Sequence, residues 1–300
     1  MNARVQVNWF PLQPFENTRV IFFVMDLQRK IDFAIKLLQS IQQDGPIELS
    51  YYGGKDSDVI LALAKMSGIP FEAIYKNTTI DPPGTIAHCI ENGVTIVHPK
   101  ETFNQLIEKH GLPSRWRRFC CSALKEYKIY DRAIQGIRRC ESTKRAERYK
   151  EPEYCRTYKQ GGKVRVYLPI LEWTDADVEQ FIKDRNIKCA PVYYDENGQF
   201  HVERRLGCIG CPLKSDVGLE DFKKYPKLLK AQIKMYQRHL DTHTNTQYYQ
   251  TIRGSAYNGF YYRLFCRSND EFVTAITGGL FPEMAIDAKK VMEEYFGIEL

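Results

Sequence analysis

The sequence lacks the features of several protein classes. Its longest apolar run near the N-terminus, residues 20–25, is far too short to span a bilayer or to form the core of a signal peptide. It has no internal repeat and no low-complexity tract, and 43% hydrophobic with 27% charged residues excludes a disordered chain, a collagen and a coiled coil. A chain of 300 residues also needs no disulfide scaffold to fold. We therefore expect an ordinary globular protein of the cytoplasm with no membrane partner.

Cysteine content and net charge point to two kinds of ligand. Nine cysteines, an odd number, stand in a chain without an export signal, which argues against a full disulfide framework. Metal binding or thiol chemistry is the better interpretation. The net charge of +6 suits an anionic partner, but it does not distinguish a nucleotide from a nucleic acid.

The spacing of apolar residues predicts the fold class. Residues 1–24 have no clear period, which predicts either a mobile arm or a stretch upstream of the true gene start. One helical stripe follows at Leu27, Ile31, Ala34, Leu38 and Ile41. Strands at 47–51, 71–75, 94–98 and 164–168 then alternate with helices at 57–66, 84–91 and 103–110. This alternation predicts an α/β fold, a parallel twisted sheet flanked by helices. A Thr174 cap and a helix start at Pro226 predict further helices, and the region beyond residue 200 is mainly helical.

The richest local signal is residues 49–57, Leu-Ser-Tyr-Tyr-Gly-Gly-Lys-Asp-Ser, which follow the first strand and open a helix. Two glycines let the backbone direct N–H groups at one anion, the helix N-terminus adds its dipole, and Lys55 adds a full charge. Neither the Walker A spacing nor the dinucleotide GxGxxG pattern fits. The alternative is a Gly-Gly turn followed by a solvated lysine. The coincidence of these features at the edge where open α/β sheets bind ligands favours a phosphate site.

This segment resembles the SGGKDS loop of the PP-loop, or adenine nucleotide alpha-hydrolase-like, superfamily. The family uses that loop to bind pyrophosphate or its sulfonate counterpart, which implies ATP or adenylyl sulfate as the nucleotide. The resemblance implies contacts to the nucleotide from six residues: Ser50, Gly53, Gly54, Lys55, Asp56 and Ser57. Tyr52 stands where the family has its leading serine, so we expect that hydroxyl contact to be lost or relocated.

Four cysteines form two close pairs, Cys120-Cys121 and Cys208-Ile209-Gly210-Cys211. Neighbouring cysteines point apart and fit poorly as two ligands of one tetrahedral zinc, whereas a 4Fe-4S cluster presents a separate iron to each thiolate. A cluster is therefore favoured over zinc. Burial as small apolar residues is the remaining alternative, and it suits the five cysteines without a near partner. These are Cys89, Cys140, Cys155, Cys189 and Cys266.

The cysteine segments 119–125 and 206–212 are similar to the paired 4Fe-4S motifs of assimilatory adenylylsulfate reductases and to those of DNA phosphorothioation enzymes of the DndC type. In both groups the lysine after the first motif lies near the cluster or the bound anion, which implies that role for Lys125. Residues 136–142 resemble the GxRxxES arginine motif of phosphoadenylylsulfate reductases, which implies that Arg138 and Arg139 bind the anion. The resemblance to the phosphoadenosine phosphosulfate (PAPS) reductase family thus runs from about residue 48 to 212.

Two basic segments lie between the cysteine pairs. Residues 138–150 contain six basic and two acidic residues, and three arginines flank Trp116. Guanidinium groups suit phosphate or sulfate oxygens, and interleaved aromatic rings can stack a base. A solvated charged face is the alternative for residues 144–150. These segments lean toward a nucleic acid partner.

The resemblance leaves the activity open. A sulfonucleotide reductase attacks the sulfur of adenylyl sulfate with a thiolate and releases sulfite. That family carries its nucleophile in an ECGLH-type tail, and the residues after Cys211 contain only Cys266 and no such motif. We therefore predict AMP-forming ATP pyrophosphatase chemistry in sulfur transfer, with Lys55 and Mg²⁺ stabilising the leaving pyrophosphate and Asp56 as a candidate metal ligand.

The acceptor is predicted to be DNA, RNA or a small molecule, and a sulfur-donor protein is a candidate partner. A non-catalytic nucleotide-sensing module with a structural metal is a third interpretation. The predicted organisation has three parts: an N-terminal arm and helix (1–45), a PP-loop nucleotide-binding domain (46–200), and a cysteine-motif and helical region (201–300).

Overall fold

The computed structural model describes residues 26–158 and 161–300. The two interpretations of residues 1–24 therefore concern a part of the chain that lies outside the described residues. Within the described ranges, no helix combines the length and the apolar character that crossing a membrane requires.

Six strands form one sheet. They are β1 (Ile47–Tyr51), β2 (Glu72–Lys76), β3 (Thr95–Val97), β4 (Arg132–Ile134), β5 (Glu153–Tyr158) and β6 (Gly162–Tyr167). Their order across the sheet is β3-β2-β1-β4-β6-β5. Every neighbouring pair is parallel except β5 with β6, which pair antiparallel at the edge.

Helices flank this sheet and continue beyond it. The first seven are α1 (Leu27–Gln39), α2 (Lys55–Ser67), α3 (Thr85–Glu91), α4 (Phe103–His110), α5 (Phe119–Leu124), α6 (Thr143–Arg148) and α7 (Asp175–Asp184). The C-terminal region contains α8 (Leu219–Lys224), α9 (Pro226–Thr242), α10 (Gln247–Thr251), α11 (Ala256–Phe265), α12 (Asn269–Thr277) and α13 (Ala288–Phe296). The predicted α/β fold with a helical C-terminal region is confirmed.

Most predicted elements are present, and two strands were missed. The stripe of α1 is buried as expected, the Thr174 hydroxyl accepts the Asp177 N–H at the start of α7, and α9 begins at Pro226. The prediction omitted β4, which has only three residues, and β5, whose side chains alternate between exposed and partly buried at the edge of the sheet. Neither strand contains an apolar run long enough to indicate its position.

The two larger apolar cores use different parts of the chain. One core packs α1, α2 and α7 on the sheet, with Leu38, Leu63 and Phe181 fully buried. The other surrounds α4, where residues 103–107 pack with α9, α11 and α12. The C-terminal helices therefore share their core with α4, a helix of the α/β half.

The sheet reverses its strand order at β1. The chain runs through β1, β2 and β3 to one side and then returns to β4 on the other side of β1. A crevice at the carboxyl ends of two such strands is the usual ligand site of an open α/β sheet. Residues 52–57 follow β1 and residues 135–138 follow β4, so the topology brings the glycine segment and the arginine motif together.

Candidate functional site

The phosphate loop, residues 52–57, turns directly from β1 into α2. Gly53 has a φ of +74°, a left-handed conformation that glycine adopts readily, and a Cβ there would lie 2.9 Å from Thr85 Cγ2. The Tyr52 N–H donates to the Ser57 hydroxyl at 3.0 Å and closes the turn. Because α2 begins at Lys55, its first N–H groups lack intrahelical acceptors and, with the helix dipole, suit an anion.

Lys55 is buried beside this loop, with 4% of its surface exposed. Its Nζ lies 3.8 Å from Asp56 Oδ2 and 5.5 Å from the centre of the Tyr193 ring. Burial lowers the pKa of Lys55; Asp56 opposes this effect, whereas Arg138 and Arg205 reinforce it. A buried ammonium group with cationic neighbours is stabilised by a bound polyanion.

Arg138 connects the loop to α7 and is 1% exposed. Its Nε donates to Asp56 Oδ1 at 2.8 Å, and its Nη2 donates to Asp175 Oδ1 at 2.8 Å. Gly136 permits this approach, since a Cβ there would lie 3.0 Å from the Asp56 carbonyl oxygen. The guanidinium thus holds the loop in place, and its predicted contact with an anion stays a prediction.

The structure does not bring Arg139 into this group of contacts. Its Nε donates to the Tyr149 carbonyl oxygen at 2.7 Å, and its two terminal nitrogens contact Glu172 and the Lys150 carbonyl oxygen. Arg139 therefore fastens the segment after α6 to the segment before α7.

The serines of the predicted site lie behind and within the loop. Ser50 is buried in β1, and its hydroxyl donates to the Glu48 carboxylate at 2.7 Å, which in turn pairs with Lys76 at 2.9 Å. Ser57 accepts the loop's own N–H, as described above. Asp56 already contacts Arg138, so its assignment as a Mg²⁺ ligand stays a prediction.

Two arginines that the sequence analysis did not assign to the loop belong to this cationic group. Arg205 lies just before the second cysteine motif, and Arg145 lies on α6 within the basic segment. Both contact Glu141, Arg205 Nη2 at 3.9 Å from Oε1 and Arg145 through Nη1. Burial lowers the pKa of Arg145, and Arg205 lowers it further. The only sequence signal for Arg205 was its position beside a cysteine motif.

The four predicted cysteines line one cavity of about 30 Å³. This cysteine cavity is lined by Cys120, Cys121, Cys208 and Cys211, together with Thr78, Ile80, Phe103, Leu124, Lys125 and Pro212. Hydrogen bonding with the Cys120 thiol lowers the pKa of Cys121 to about 6 against the effect of burial, and Arg118, with Nη2 3.5 Å from Sγ, also lowers it. In residues 26–158 and 161–300, no group of three or more His, Cys, Asp or Glu side chains is arranged to hold a metal ion.

The second cysteine motif is fixed from both sides. Gly210 has a φ of +67°, and a Cβ there would lie 2.3 Å from Phe222 Cζ of α8. Its N–H donates to Asp221 Oδ2 at 2.8 Å, and the Ile209 N–H donates to the Ile80 carbonyl oxygen at 2.8 Å. The motif therefore joins α8 to the segment that follows β2.

Lys125 lies between the phosphate loop and the cysteine cavity. Its Nζ lies 5.3 Å from the centre of the Tyr52 ring and 3.8 Å from Asp81 Oδ1. Burial disfavours its charged form, but Cys208, Asp81 and Tyr52 together raise the pKa of Lys125. The aromatic ring at the family's serine position thus contacts the lysine of the first cysteine motif.

Arg263 of α11 is a half-buried residue whose guanidinium lies beside the second cysteine motif. One Nη2–H donates to the Gly210 carbonyl oxygen, whereas Nε and Nη1 are buried without a hydrogen-bond partner among the described residues. Burial lowers the pKa of Arg263 to about 10, and Cys211 and Cys120 oppose that decrease. The sequence analysis missed Arg263 because nothing in the helical pattern distinguishes it.

Residues 46–214 match the family described as the phosphoadenosine phosphosulfate reductase domain. The chain belongs to this family. The predicted family is confirmed, and residues 46–214 form a PAPS reductase-like adenine nucleotide-binding domain.

Relatives share this domain at low identity. An uncharacterized protein of Methanocaldococcus jannaschii is 30% identical over 207 residues, which cover 64% of this chain and 48% of that protein. The sulfate adenylyltransferase subunit 2 of Geobacter metallireducens is 28% identical over 187 residues, which cover 48% of this chain and 59% of that one. The chain thus spans about half to three fifths of the length of these curated relatives.

Two solved structures are also similar to this chain. The phosphoadenylyl-sulfate reductase of Candida auris, a phosphate complex, aligns with a TM-score of 0.41 at 16% identity, over 61% of this chain and 93% of that one. The FMN adenylyltransferase of Candida glabrata aligns with a TM-score of 0.41 at 18% identity, over 61% of this chain and 62% of that one.

Proposed function

We propose that this chain is an AMP-forming enzyme that transfers an adenylyl group from ATP as the first step of sulfur transfer. The observation that carries the proposal is the convergence of buried Lys55 with Arg138, Arg145 and Arg205 at the N-terminus of α2, where the sheet reverses its strand order. Several cations at one helix N-terminus match the charge of a triphosphate.

The chemistry proceeds in two displacements. An oxygen of the acceptor attacks the α-phosphorus of ATP, the bond from that phosphorus to the bridging oxygen breaks, and pyrophosphate leaves with the electron pair. A hydrosulfide sulfur, supplied free or by a donor protein, then displaces AMP and takes the position of the acceptor oxygen. Lys55 and Mg²⁺ that arrives with ATP neutralise the charge that develops on pyrophosphate.

The relatives support attack at the α-phosphate. Sulfate adenylyltransferase is named for the transfer of an adenylyl group to sulfate, which is the same displacement with a different oxygen nucleophile. Catalysis of this kind rests on positioning and charge neutralisation, which the phosphate loop and its arginines supply.

We also propose that Cys120, Cys121, Cys208 and Cys211 hold a 4Fe-4S cluster. Arg263 supports an anionic occupant, because a buried guanidinium with two unpartnered nitrogens is costly unless an anion neutralises it. A single zinc ion is less favoured, because the adjacent Cys120 and Cys121 are poorly placed to share one ion and no three potential ligands in the described residues are arranged around one. When bound, a cluster supplies a compact anionic centre that exchanges single electrons. Lys125 and Arg263 then balance its charge.

The activity is tested on anaerobically purified full-length protein. With a candidate acceptor present, either nucleic acid or a small-molecule extract, ATP–pyrophosphate exchange with radiolabelled pyrophosphate is measured beside sulfite release from adenylyl sulfate and from PAPS with a thiol reductant. We expect exchange without sulfite release. Sulfite release without exchange would overturn the proposal in favour of a sulfonucleotide reductase, and nucleotide binding without either reaction would favour a non-catalytic module.

The metal is tested on the same preparation by its absorption spectrum and by iron and sulfide analysis. About four irons and four sulfides per chain are expected, with loss of both in Cys208→Ser. Cys155→Ser is the matched control, because Cys155 is an exposed thiol of β5 that lies outside the cysteine cavity. Stoichiometric zinc without iron would contradict the cluster.

A further inference from the structure

A second, larger cavity opens beside the cysteine cavity and is not used by the proposed chemistry. This arginine-aromatic groove has a volume of about 750 Å³, within the roughly 300–1,000 Å³ of typical ligand sites. Its walls are α5 with the preceding turn, the end of α6, and the edge strand β5. Its side chains are mainly arginine and aromatic: Trp116, Arg117, Arg118, Phe119, Arg148, Tyr149, Tyr154, Arg156 and Tyr158.

The most unusual side chain of the groove is Trp116, which is 96% exposed. A single exposed apolar side chain is ordinary, but this ring stands at the rim of a groove that is lined with further aromatic rings and arginines. Trp116 follows Arg115 and precedes Arg117 and Arg118, so the ring is flanked by three positively charged side chains. Aromatic rings held in this way stack on nucleobases.

The charges of the groove favour an anionic partner. Glu126 is the acidic residue among its lining side chains, and it contacts both Arg156 at 3.1 Å and Arg118 at 4.0 Å. Arg117 and Arg148 form no ion pair with any residue in the described ranges and instead lie over the rings of Phe119 and Tyr149, at 5.7 and 5.4 Å. Two guanidinium groups are therefore available to phosphates.

The groove reaches the candidate active site. Arg118 contacts Cys121 of the cysteine cavity, as described above. At the other wall, the side-chain amide of Gln135 donates to the Tyr158 hydroxyl at 3.2 Å, and Gln135 belongs to the segment after β4 that carries Arg138 to the phosphate loop. A strand lying in the groove would thus pass beside both the phosphate loop and the cysteines.

We propose that the arginine-aromatic groove binds single-stranded nucleic acid, with phosphates on Arg117 and Arg148 and an unpaired base stacked on Trp116. This proposal rests on the proposed function, because it identifies the acceptor that becomes adenylylated as a single-stranded nucleic acid. Duplexes fit less well, since their bases are already stacked on one another. An acidic protein would satisfy the arginines but would leave the exposed indole without a specific partner.

Fluorescence anisotropy tests the groove with the full-length, metal-loaded protein and a labelled mixed-sequence oligonucleotide of about 15 nucleotides, as DNA and as RNA. Trp116→Ala is expected to weaken binding about fivefold or more, because each stacked base contributes substantially to affinity. In Arg148→Ala, the slope of log K against the logarithm of the salt concentration is expected to become less negative by about 0.7, because one phosphate contact is lost. Matched controls are Arg185→Ala, another arginine over an aromatic ring, and Phe281→Ala, another exposed ring.

Three outcomes would overturn the proposal: no binding at about 50 mM salt, equal effects in the control variants, or poly-glutamate bound as tightly as the oligonucleotide. The last result would assign the groove to an acidic protein. Comparing the DNA and RNA arms identifies the natural class. Binding is measured without ATP, and exchange is also assayed with the small-molecule extract as acceptor. Lost binding with exchange retained on that extract would overturn this proposal alone, whereas intact binding without exchange on any acceptor would overturn the proposed activity alone.

Discussion

The phosphate loop and the cysteine cavity lie at the same edge of the sheet, but they balance their charges differently. Around the loop, the chain supplies its own carboxylates: Asp56 and Asp175 hold Arg138, and Glu141 holds Arg145. Beside the cysteines, Arg263 has no carboxylate partner within the described residues; its guanidinium contacts the Gly210 carbonyl oxygen and lies over the Phe260 ring. The arginines of one site are held by carboxylates without a ligand, whereas the other site contains a guanidinium with no carboxylate partner.

Because of this difference, we expect the two ligands to contribute differently to catalysis and to the stability of the fold. A loop whose charges are already paired keeps its shape when the nucleotide leaves, so the nucleotide contributes to catalysis more than to folding. A cavity beside an orphaned guanidinium gains stability from an anionic occupant, so the proposed cluster would contribute to folding. The following experiments test whether the two sites differ in this way.

The largest expected effect is that of metal removal. Chelation, or the double variant Cys208→Ser and Cys211→Ser, should lower the free energy of local opening of α9 and α11 by several kcal/mol, because metal-binding energy is also folding energy. Hydrogen exchange should show faster exchange in α9 and α11 and unchanged protection in β1 and α2. An equal increase of hydrogen exchange in β1 and α2 would contradict the comparison. The control variant Cys155→Ser should leave exchange unchanged in all four elements.

At the loop, Lys55→Ala should reduce pyrophosphate exchange about 100- to 1,000-fold, the typical loss when one preorganised charge-stabilising group is removed. The melting temperature should change little, because the proposed role of Lys55 is to contact the nucleotide and its removal relieves a desolvated charge. Lys65→Ala, at the exposed end of the same helix, is the control and should retain full exchange. A Lys55→Ala protein that unfolds would show that this cation is structural.

Gly210→Ala should destabilise the protein by about 2–4 kcal/mol, because the new methyl group collides with Phe222 at a residue of positive φ. The matched control is Gly93→Ala, which has a φ of +70° but open space around its Cβ position. It isolates the cost of the backbone conformation, about 1 kcal/mol. Urea unfolding monitored by circular dichroism measures both, and equal losses would show that the contact with α8 is unimportant.

The smallest effect distinguishes two adjacent arginines. Arg138→Lys should lower pyrophosphate exchange about tenfold, because an ammonium group cannot bridge Asp56 and Asp175 in the way that a guanidinium fork does. Arg139→Lys should leave exchange nearly unchanged, since Arg139 contacts Glu172 and backbone carbonyl groups elsewhere. If the two variants lost activity equally, both arginines would have to reach the nucleotide.

The features that could be predicted from the sequence are those formed by residues close together in the chain. The strand before the loop, its two glycines and the start of α2 are neighbours in the chain, and so the phosphate loop could be located from residues 47–57 alone. The cysteines were recognisable as two pairs because each pair is local, and their common cavity is observed. Their assignment as ligands of a cluster stays a prediction.

Long-range contacts could not be predicted in the same way. Arg263 has no local signature, and Arg205 has only its position beside a cysteine motif. Both join their sites because the chain returns to the same edge of the sheet. Strand β5 was missed because pairing with β6, and not an apolar run of its own, makes it a strand. The detailed role of Arg138 also depended on a distant residue, Asp175, which the motif does not contain.

The packing of α4 against α9 sets the order in which the protein can mature on the ribosome. The apolar face of α4 emerges about 120 residues before the helix that covers it. The sheet half can therefore fold during synthesis, whereas α4 stays uncovered until the last third of the chain has been made. Cys120 and Cys121 likewise emerge about 90 residues before Cys208 and Cys211, so the cysteine cavity can form only after most of the α/β half has been made.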